Sequence, residues 1–396
     1  MNLLKLNILR ISSTFVPPWR GLGPGPFELT KAQHEIGHNI TVITKHSEGC
    51  ESFDASLPYE VIRVKSSYDL IFSFKAMVLY FKIRNNKPID VIHNHGFSAL
   101  WLILFKKILG LKTPIVSSVH IVRIAQFFNV NRVDFSDLSW RKNKVFFKKF
   151  KRFKKSNLKT LLQEKIYLNY SDHLATVSDS LTQEINFFYK KAAPVKPVYN
   201  GVNHHTFKAF NSTNSKKSAN DIELIFVGAI NKRKGEFDLI NSLSQINCSN
   251  VKLKIIGEGP ERENLKNEIA SLKLTESVSL TKNLPHQELI KHLEHADVFV
   301  LPSYSEGLPK VLLEAMITNN IIIVSDIEPH KSVINESTGV FFKTGDVASL
   351  ANVLNDVIFN IKNKRVLATN AKEYVLDNYT WISVANRIYK IYSKLV

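Results

Sequence analysis

Short runs of β-branched residues alternate with helix-length amphipathic stretches along the chain, and midway the alternation starts again. In the first half the runs are Leu6–Ser12, Asn39–Thr44, Val61–Val64, Val91–Asn94, Ile115–Val119, His173–Val177 and Val195–Val198, with helical patterns between them such as Phe27–Glu35 and Phe74–Asn85. In the second half they are Glu223–Val227, Lys252–Ile256, Val278–Leu280, Val298–Leu301, Ile321–Val324 and Val340–Phe342. Helical patterns there fall at Phe237–Ser244, Pro260–Ser271, Gln287–His292, Lys310–Met316 and Val347–Ile358. Strands that alternate with helices pair in parallel and are covered by helices on both faces. The chain therefore reads as an α/β protein with two parallel sheets. Its 396 residues suit two domains at roughly 150 residues each. The polar, aperiodic stretch Ala209–Asp221 marks the break, with an N-terminal domain over 1–203 and a C-terminal one over 204–380. At the end of the chain Trp381, Val384, Ala385, Ile388 and Ile391 recur at helical spacing and predict an amphipathic helix.

Several classes are disfavoured by composition. The longest strongly apolar stretch, Phe97–Phe105, stops at Lys106 and Lys107, well short of the roughly twenty residues a membrane-spanning helix needs. Lys5 and Arg10 interrupt the first apolar run, which reads as a strand and not as a signal peptide. The two cysteines, Cys50 and Cys248, have neither metal nor redox spacing, which predicts a cytoplasmic protein with no disulfide frame. The net charge is +18 and unevenly spread. Up to His205 there are 30 Lys and Arg against 14 Asp and Glu, and the remainder has 23 against 21. Within 141–165 there are 11 basic residues and one acid, Glu164. Such a block implies an anionic partner.

The residues that carry chemistry sit just after strands, where parallel sheets bind ligands. Ser303-Tyr304-Ser305-Glu306-Gly307-Leu308-Pro309 follows Val298–Leu301 and leads into a helix containing Glu314. Pro309 suits a first helical turn. The N–H groups of Gly307, Leu308 and Lys310 would remain available to a phosphate, which a helix N-terminus favours. Glu306 and Glu314 can grip sugar hydroxyls on either side. Gly228-Ala229-Ile230-Asn231-Lys232-Arg233-Lys234-Gly235 also follows a strand; its glycine allows close approach to the backbone and its three consecutive bases suit a diphosphate. Ile256-Gly257-Glu258-Gly259-Pro260 is a third strand-to-helix turn.

The ordered set Phe226-Val227-Gly228, Lys234-Gly235, Ile256 to Pro260, Ala296-Asp297-Val298, Pro302-Ser303 and Glu306 with Glu314 resembles the retaining glycosyltransferases of family 4, the glycosyl transferases group 1, which have the GT-B fold. In the first half Gly37-His38, Asp90 to His95, Val119-His120, Ser171-Asp172 with Val177-Ser178, and Tyr199 to Val202 resemble the same family. The resemblance implies two Rossmann-like domains facing a central cleft, the helix over 381–396 crossing back to the first domain, and a UDP- or GDP-sugar as donor. It implies that Lys234 pairs with the donor diphosphate, Glu314 binds the ribose, Glu306 contacts the transferred sugar and His120 lies near that sugar or the acceptor. Gly21 and Gly23 would approach the phosphates from the first domain, with Gly228, Arg233, Gly307 and Leu308 completing the donor contacts. The expected catalytic residues are thus His120, Lys234 and Glu306, while His93 and His95 read as structural. The family has arginine where this chain has Ala229, which leaves Arg233 or Lys232 to reach the same charge and implies weak donor binding or low activity if neither does. No D-x-D pair falls in these loops, and neither metal nor cofactor is expected.

Residues 141–155 form the second distinctive feature. Phe146, Phe150 and Phe153 share one helical face and bases cover the rest. A helix of this kind lies on anionic lipid, which makes Lys148, Lys149, Phe150, Arg152 and Phe153 the membrane-contact candidates. The alternative is a helix packing its phenylalanines on the domain. Nucleic-acid binding would use the same stretch but leaves the second-half motifs unexplained, and no nucleic-acid partner is expected. The expected partners are the nucleotide-sugar, a glycan or lipid-linked acceptor and an anionic membrane, with the protein peripheral at the inner face of the plasma membrane. Surface polysaccharide or glycolipid synthesis in a bacterium is the expected role. Competing readings are an inactive scaffold, motivated by Ala229, or another GT-B enzyme such as a glucan synthase or nucleotide-sugar epimerase.

Overall fold

A strand forms at each β-branched run, and all their pairings are parallel. The computed structural model describes residues 4–17, 24–130, 136, 138–190, 192–202, 221–246, 250–306 and 310–396. The chain divides into two compact units, Met1–Gly201 together with Trp381–Val396, and Val202–Thr380.

In the first unit β1 (Asn7–Ser12), β2 (Asn39–Lys45), β3 (Glu60–Val64), β4 (Val91–His95), β5 (Ile115–Val119), β6 (His173–Thr176) and β7 (Val195–Pro197) build a sheet of order β3-β2-β1-β4-β5-β6-β7. Adjacent strand residues point to opposite faces, and the core divides accordingly. Ile8, Val91 and Val116 join one cluster with Phe27, Leu29, Val384 and Ile388, from helices Pro24–Glu35 and Trp381–Tyr392. Leu9, Ile92 and Ile115 join the other with Phe72, Leu102 and Leu168, from helices Asp69–Asn86, Leu100–Phe105 and Leu158–Tyr170. The C-terminal helix therefore completes the first unit: without it, one face of the sheet would expose a row of aliphatic side chains.

In the second unit β8 (Ile222–Val227), β9 (Val251–Ile256), β10 (Val278–Thr281), β11 (Val298–Leu301), β12 (Ile321–Ser325) and β13 (Val340–Phe342) take the order β10-β9-β8-β11-β12-β13. Every residue of β12 is buried, as a strand covered on both faces requires. Helix Lys310–Ile317 stops where Asn319 takes φ 66, and the buried Asn320 amide donates to Leu293 O at 2.9 Å and Ala296 O at 2.7 Å. A left-handed asparagine is a common helix stop, and here it aims the chain directly into β12. Asp297, at the start of β11, accepts from Glu223 N at 2.9 Å and pairs with Arg365 of helix Ile361–Asn378. This pairing lies at the amino ends of β8 and β11, so the Ala296-Asp297-Val298 motif braces the unit at the end opposite the loops described next.

Candidate functional site

Strand order reverses between β8 and β11. Crossovers leave these two neighbours in opposite directions, which opens a crevice beyond their carboxyl ends. The loop 228–235 follows β8 and the segment 302–306 follows β11. Two glycines allow the loops to close on each other. Gly235 has φ 71, and a Cβ on it would lie 2.1 Å from Pro302 O. A Cβ on Gly257, after β9, would lie 1.9 Å from Gly228 O. The Ile256-to-Pro260 turn thus supports the 228–235 loop from below: Gly228 N donates to Ile256 O at 3.0 Å and Ile230 N to Glu258 O at 2.9 Å. Replacing Gly257 by alanine must push the loop away. It is expected to cost about 2 kcal/mol as an overpacked core position, read as a lower urea midpoint; an unchanged midpoint would show that the loop yields freely.

This closure brings the expected cations onto the expected carboxylate. Lys234 Nζ pairs with Glu306 Oε1, both side chains being largely buried. Arg233 Nη1 donates to Ser305 O and lies 3.4 Å from Glu306 Oε2. Ser303 Oγ donates to Glu306 Oε1 at 2.7 Å. Burial pushes the Glu306 carboxyl up, but Lys234, with help from Ser303 and Arg233, outweighs it and holds the group below the ordinary carboxylate range. Of the two residues that could stand in for the arginine absent at Ala229, Arg233 reaches the cluster. Lys232 is exposed and lies 4.0 Å from Glu261. A Cβ on Gly228 would lie 3.7 Å from Lys234 Cε, so this glycine borders the same cation.

Glu314 lies in helix Lys310–Ile317, where His286 Nε2 approaches its Oε1 at 2.9 Å. That bond raises the His286 pKa above the ordinary imidazole value, against the opposing effect of burial. Gly307 and Leu308 lie outside the described residues, as do Gly21 and Gly23.

Three residues of this neighbourhood did not stand out in the sequence. His286 begins the helix His286–His295 and reaches Glu314 from 28 positions away. His330 is fully buried with Nδ1 2.9 Å from Ser325 O; burial pushes its pKa down to about 4, and it feels the charges of Glu306 and Lys234. Glu236, directly after Gly235, is completely buried. Burial pushes its carboxyl up to about 7, with the charge of Glu261 adding to the rise and Lys234 opposing it. Its one sequence signal is position, two residues after Lys234.

In the first unit the corresponding reversal lies between β1 and β4. Arg10 of β1 is fully buried and donates to Gln33 Oε1 and, at 3.1 Å, to His95 Nε2. Among the described residues no carboxylate pairs with it, and burial lowers its pKa to about 10. His93 meets Ser118 Oγ at 2.7 Å and the Tyr392 hydroxyl of the C-terminal helix. Burial, followed by the neighbouring imidazole and Arg10 charges, puts His93 and His95 well below the ordinary imidazole range. Both are therefore neutral at pH 7, which suits a structural part. His95 stacks on His93 with ring centroids 4.6 Å apart, and on His120 at 6.2 Å. His120 follows β5 and, with His95, Val177, Tyr199 and Asn200, lines a small cavity of about 30 Å³. Strand ends from four separate motifs thus meet at His120. Cys50 had no metal spacing with Cys248, yet its Sγ and ligand atoms of His46 and Glu51 lie within 4.8 Å of one another after β2.

The basic stretch forms helix Lys144–Ser156, and Asn143 caps it by accepting from Phe146 N. Its phenylalanines face the domain. Phe146 is buried, and Phe127 lies 5.6 Å from Phe150 and 4.5 Å from Phe153 between ring centroids. Phe150 and Phe153 are half-buried and meet Phe127 of helix Arg123–Val130, so part of their apolar surface is used within the domain. Lys148, Lys149 and Arg152 are exposed. Among the described residues no helix is long and apolar enough to cross a membrane.

Residues 20–206 match the family described as Glycosyltransferase Family 4, and 207–374 match Glycosyl transferases group 1. The chain is 22% identical to the GPI3 subunit of phosphatidylinositol N-acetylglucosaminyltransferase from Saccharomyces cerevisiae, over 98% of this chain and 83% of the relative. Among solved structures it is similar to a sucrose-phosphate synthase from Thermosynechococcus elongatus, with TM-score 0.69, 18% identity and 99% of each chain covered. It is also similar to HepE from Anabaena in complex with UDP and glucose, with TM-score 0.68, 15% identity and 98% and 100% covered.

Proposed function

Because the chain belongs to the family 4 glycosyltransferases and has the GT-B fold, we propose that it moves a sugar from a UDP- or GDP-sugar to a glycan or lipid-linked glycan, with retention at the anomeric carbon. The observation that carries this reading is the convergence of Lys234 and Arg233 on Glu306 beside Gly228, beyond the carboxyl ends of β8 and β11.

Cleavage of the anomeric C–O bond leaves negative charge on the departing diphosphate. Only groups that meet this charge more strongly in the transition state accelerate the step. Lys234 and Arg233 are proposed to supply it. Their charges rest on Glu306, which keeps the ammonium in place and the carboxylate ionised. An arriving diphosphate shares the two cations, and Glu306, oriented by Ser303, turns its acceptor oxygens to hydroxyls of the transferred sugar. Glu314, held by His286, takes the ribose hydroxyls. His120 is the proposed contact for the transferred sugar or the acceptor. Gly21, Gly23, Gly307 and Leu308 keep their proposed part in holding the phosphates.

HepE, which binds UDP, supports testing uridine nucleotides first. The name of the GPI3 relative supports a lipid-linked acceptor, as do the exposed bases of helix Lys144–Ser156. The proposed role is surface polysaccharide or glycolipid assembly at the inner face of a bacterial membrane, with the protein held there peripherally.

Calorimetric titration of UDP and GDP into the wild type and Glu314→Ala tests the donor site. One nucleotide is expected to bind, and Glu314→Ala to weaken it about tenfold, as for loss of a charge-assisted hydrogen bond. Binding of neither nucleotide would overturn the assignment and favour an inactive relative.

A further inference from the structure

We propose that the outer face of helices Asp69–Asn86 and Leu100–Phe105 is a lipid-contact ridge that seats the first unit on an anionic bilayer. This rests on the peripheral-membrane reading above, and it moves the apolar contact away from helix Lys144–Ser156, whose phenylalanines are used internally.

Ile71, Phe74 and Val78 follow helical spacing along one face of Asp69–Asn86 and remain 49%, 50% and 41% exposed. In the second helix and just after it, Leu104 and Ile108 are 37% and 74% exposed. Phe74 meets Trp101 edge to face at 6.4 Å, and Trp101 stacks on Phe105 at 5.6 Å, which joins the two helices into one surface. Single exposed aliphatics are ordinary, but a contiguous apolar ridge on two packed helices marks a contact site.

Charge identifies the occupant. Between Tyr68 and Lys112 there are seven Lys and Arg and two Asp, and no Glu. Asp69 is paired with Lys45 at 2.7 Å, and Asp90 accepts from the Asn7 side chain at 2.9 Å. Lys75 and Lys82 on the first of these helices, and Lys107 and Lys112 just beyond the second, are exposed. Two copies of this face brought together would oppose their lysines, whereas an anionic lipid surface is attracted to them. Helix Leu158–Tyr170 packs against both Leu100–Phe105 and Lys144–Ser156. The ridge and the basic helix therefore flank one common neighbour, with the ridge supplying insertion and the helix supplying long-range attraction.

The test is co-sedimentation of the full chain with phosphatidylcholine vesicles, with and without phosphatidylglycerol, at low and high salt. The wild type is expected to bind the anionic vesicles and to keep a salt-resistant fraction. Phe74→Ser/Ile108→Ser should lose that fraction and weaken partitioning about tenfold, because burial of apolar area drives the salt-resistant part. Lys148→Glu/Lys149→Glu should weaken only the salt-sensitive part. Melting temperature verifies folding, and Val78→Asn reads the same effect should the double variant unfold. Partitioning of the ridge variant like wild type would overturn the proposal. So would a wild type that binds neither vesicle, or a ridge variant whose only change is loss of self-association. Nucleotide titration of the same preparations reports on the transferase reading separately.

Discussion

Lys234→Ala is expected to lower kcat/KM by about 10²–10³-fold, the range seen when one fixed donor to developing charge is removed. Stability should fall as well. Lys234 is the main partner of the buried Glu306, and stripping a buried ion of its partner costs about 3–5 kcal/mol. A loss of activity alone would therefore be ambiguous, since a partly unfolded enzyme is also a slow one. The double variant Lys234→Ala/Glu306→Gln separates the two effects. Glutamine keeps the shape and can still accept from Ser303, yet brings no charge that needs an ammonium. Its urea midpoint should return most of the way to wild type while its activity stays at or below that of Lys234→Ala. If activity returned with stability, Lys234 would be a structural counter-ion to Glu306 and would have no part in meeting the diphosphate. Measured at pH 7 and again at pH 5, the single Lys234→Ala variant should also show less of its stability deficit at the lower pH. Without the lysine, the Glu306 carboxyl loses what holds it below its ordinary range, and protonation can then relieve the buried charge.

The strands were legible because a parallel sheet covered on both faces needs continuous β-branched runs, and Ile321–Ser325 is such a run. Helix Ile361–Asn378 was not foreseen. Its buried residues are Ala368, Ala371 and Val375, small side chains that allow close packing without an apolar stripe. Lys234, Glu306 and Glu314 stood out as candidates because they lie at fixed offsets after strand ends. What no offset reveals is pairing across the fold. Glu306 meets Arg233 and not Lys232 because Tyr304 N donates to Arg233 O at 2.9 Å, which holds the arginine beside Ser305. His286 reaches Glu314 from another helix. The phenylalanines of the basic helix show the same limit. Their spacing predicted an apolar face correctly, but only the position of Phe127 decides that this face turns inward. Burial of a polar residue is the least visible property of all, and Arg10 and Glu236 are the two clearest instances.

Glu236 carries a pH dependence that follows from its burial. Its carboxyl stands at about 7 in the folded protein against an ordinary 4.5. An acid whose pKa is raised by folding holds its proton more tightly when folded. Below pH 4.5 it is protonated in both states and contributes nothing to their difference. From there to about pH 7 the unfolded chain has released the proton and the native chain has not, so stability falls. Above about pH 7 the whole penalty is in place, about 3 kcal/mol for a shift of this size. Glu236→Gln replaces the ionisable group with a neutral one of the same shape. It should therefore stabilise the protein by about that amount at pH 8 and leave it nearly unchanged near pH 4. Urea unfolding across this range measures the difference directly, and equal slopes for the two proteins would show that Glu236 does not hold its proton. Glu261 adds to the rise and Lys234 opposes it, which links this prediction to the first. With Lys234 removed, nothing of opposite charge restrains Glu236, and its pKa should climb further. Adding Glu236→Gln to Lys234→Ala should then recover more stability at pH 8 than Glu236→Gln gives in the wild type, because the same lysine offsets both buried carboxylates.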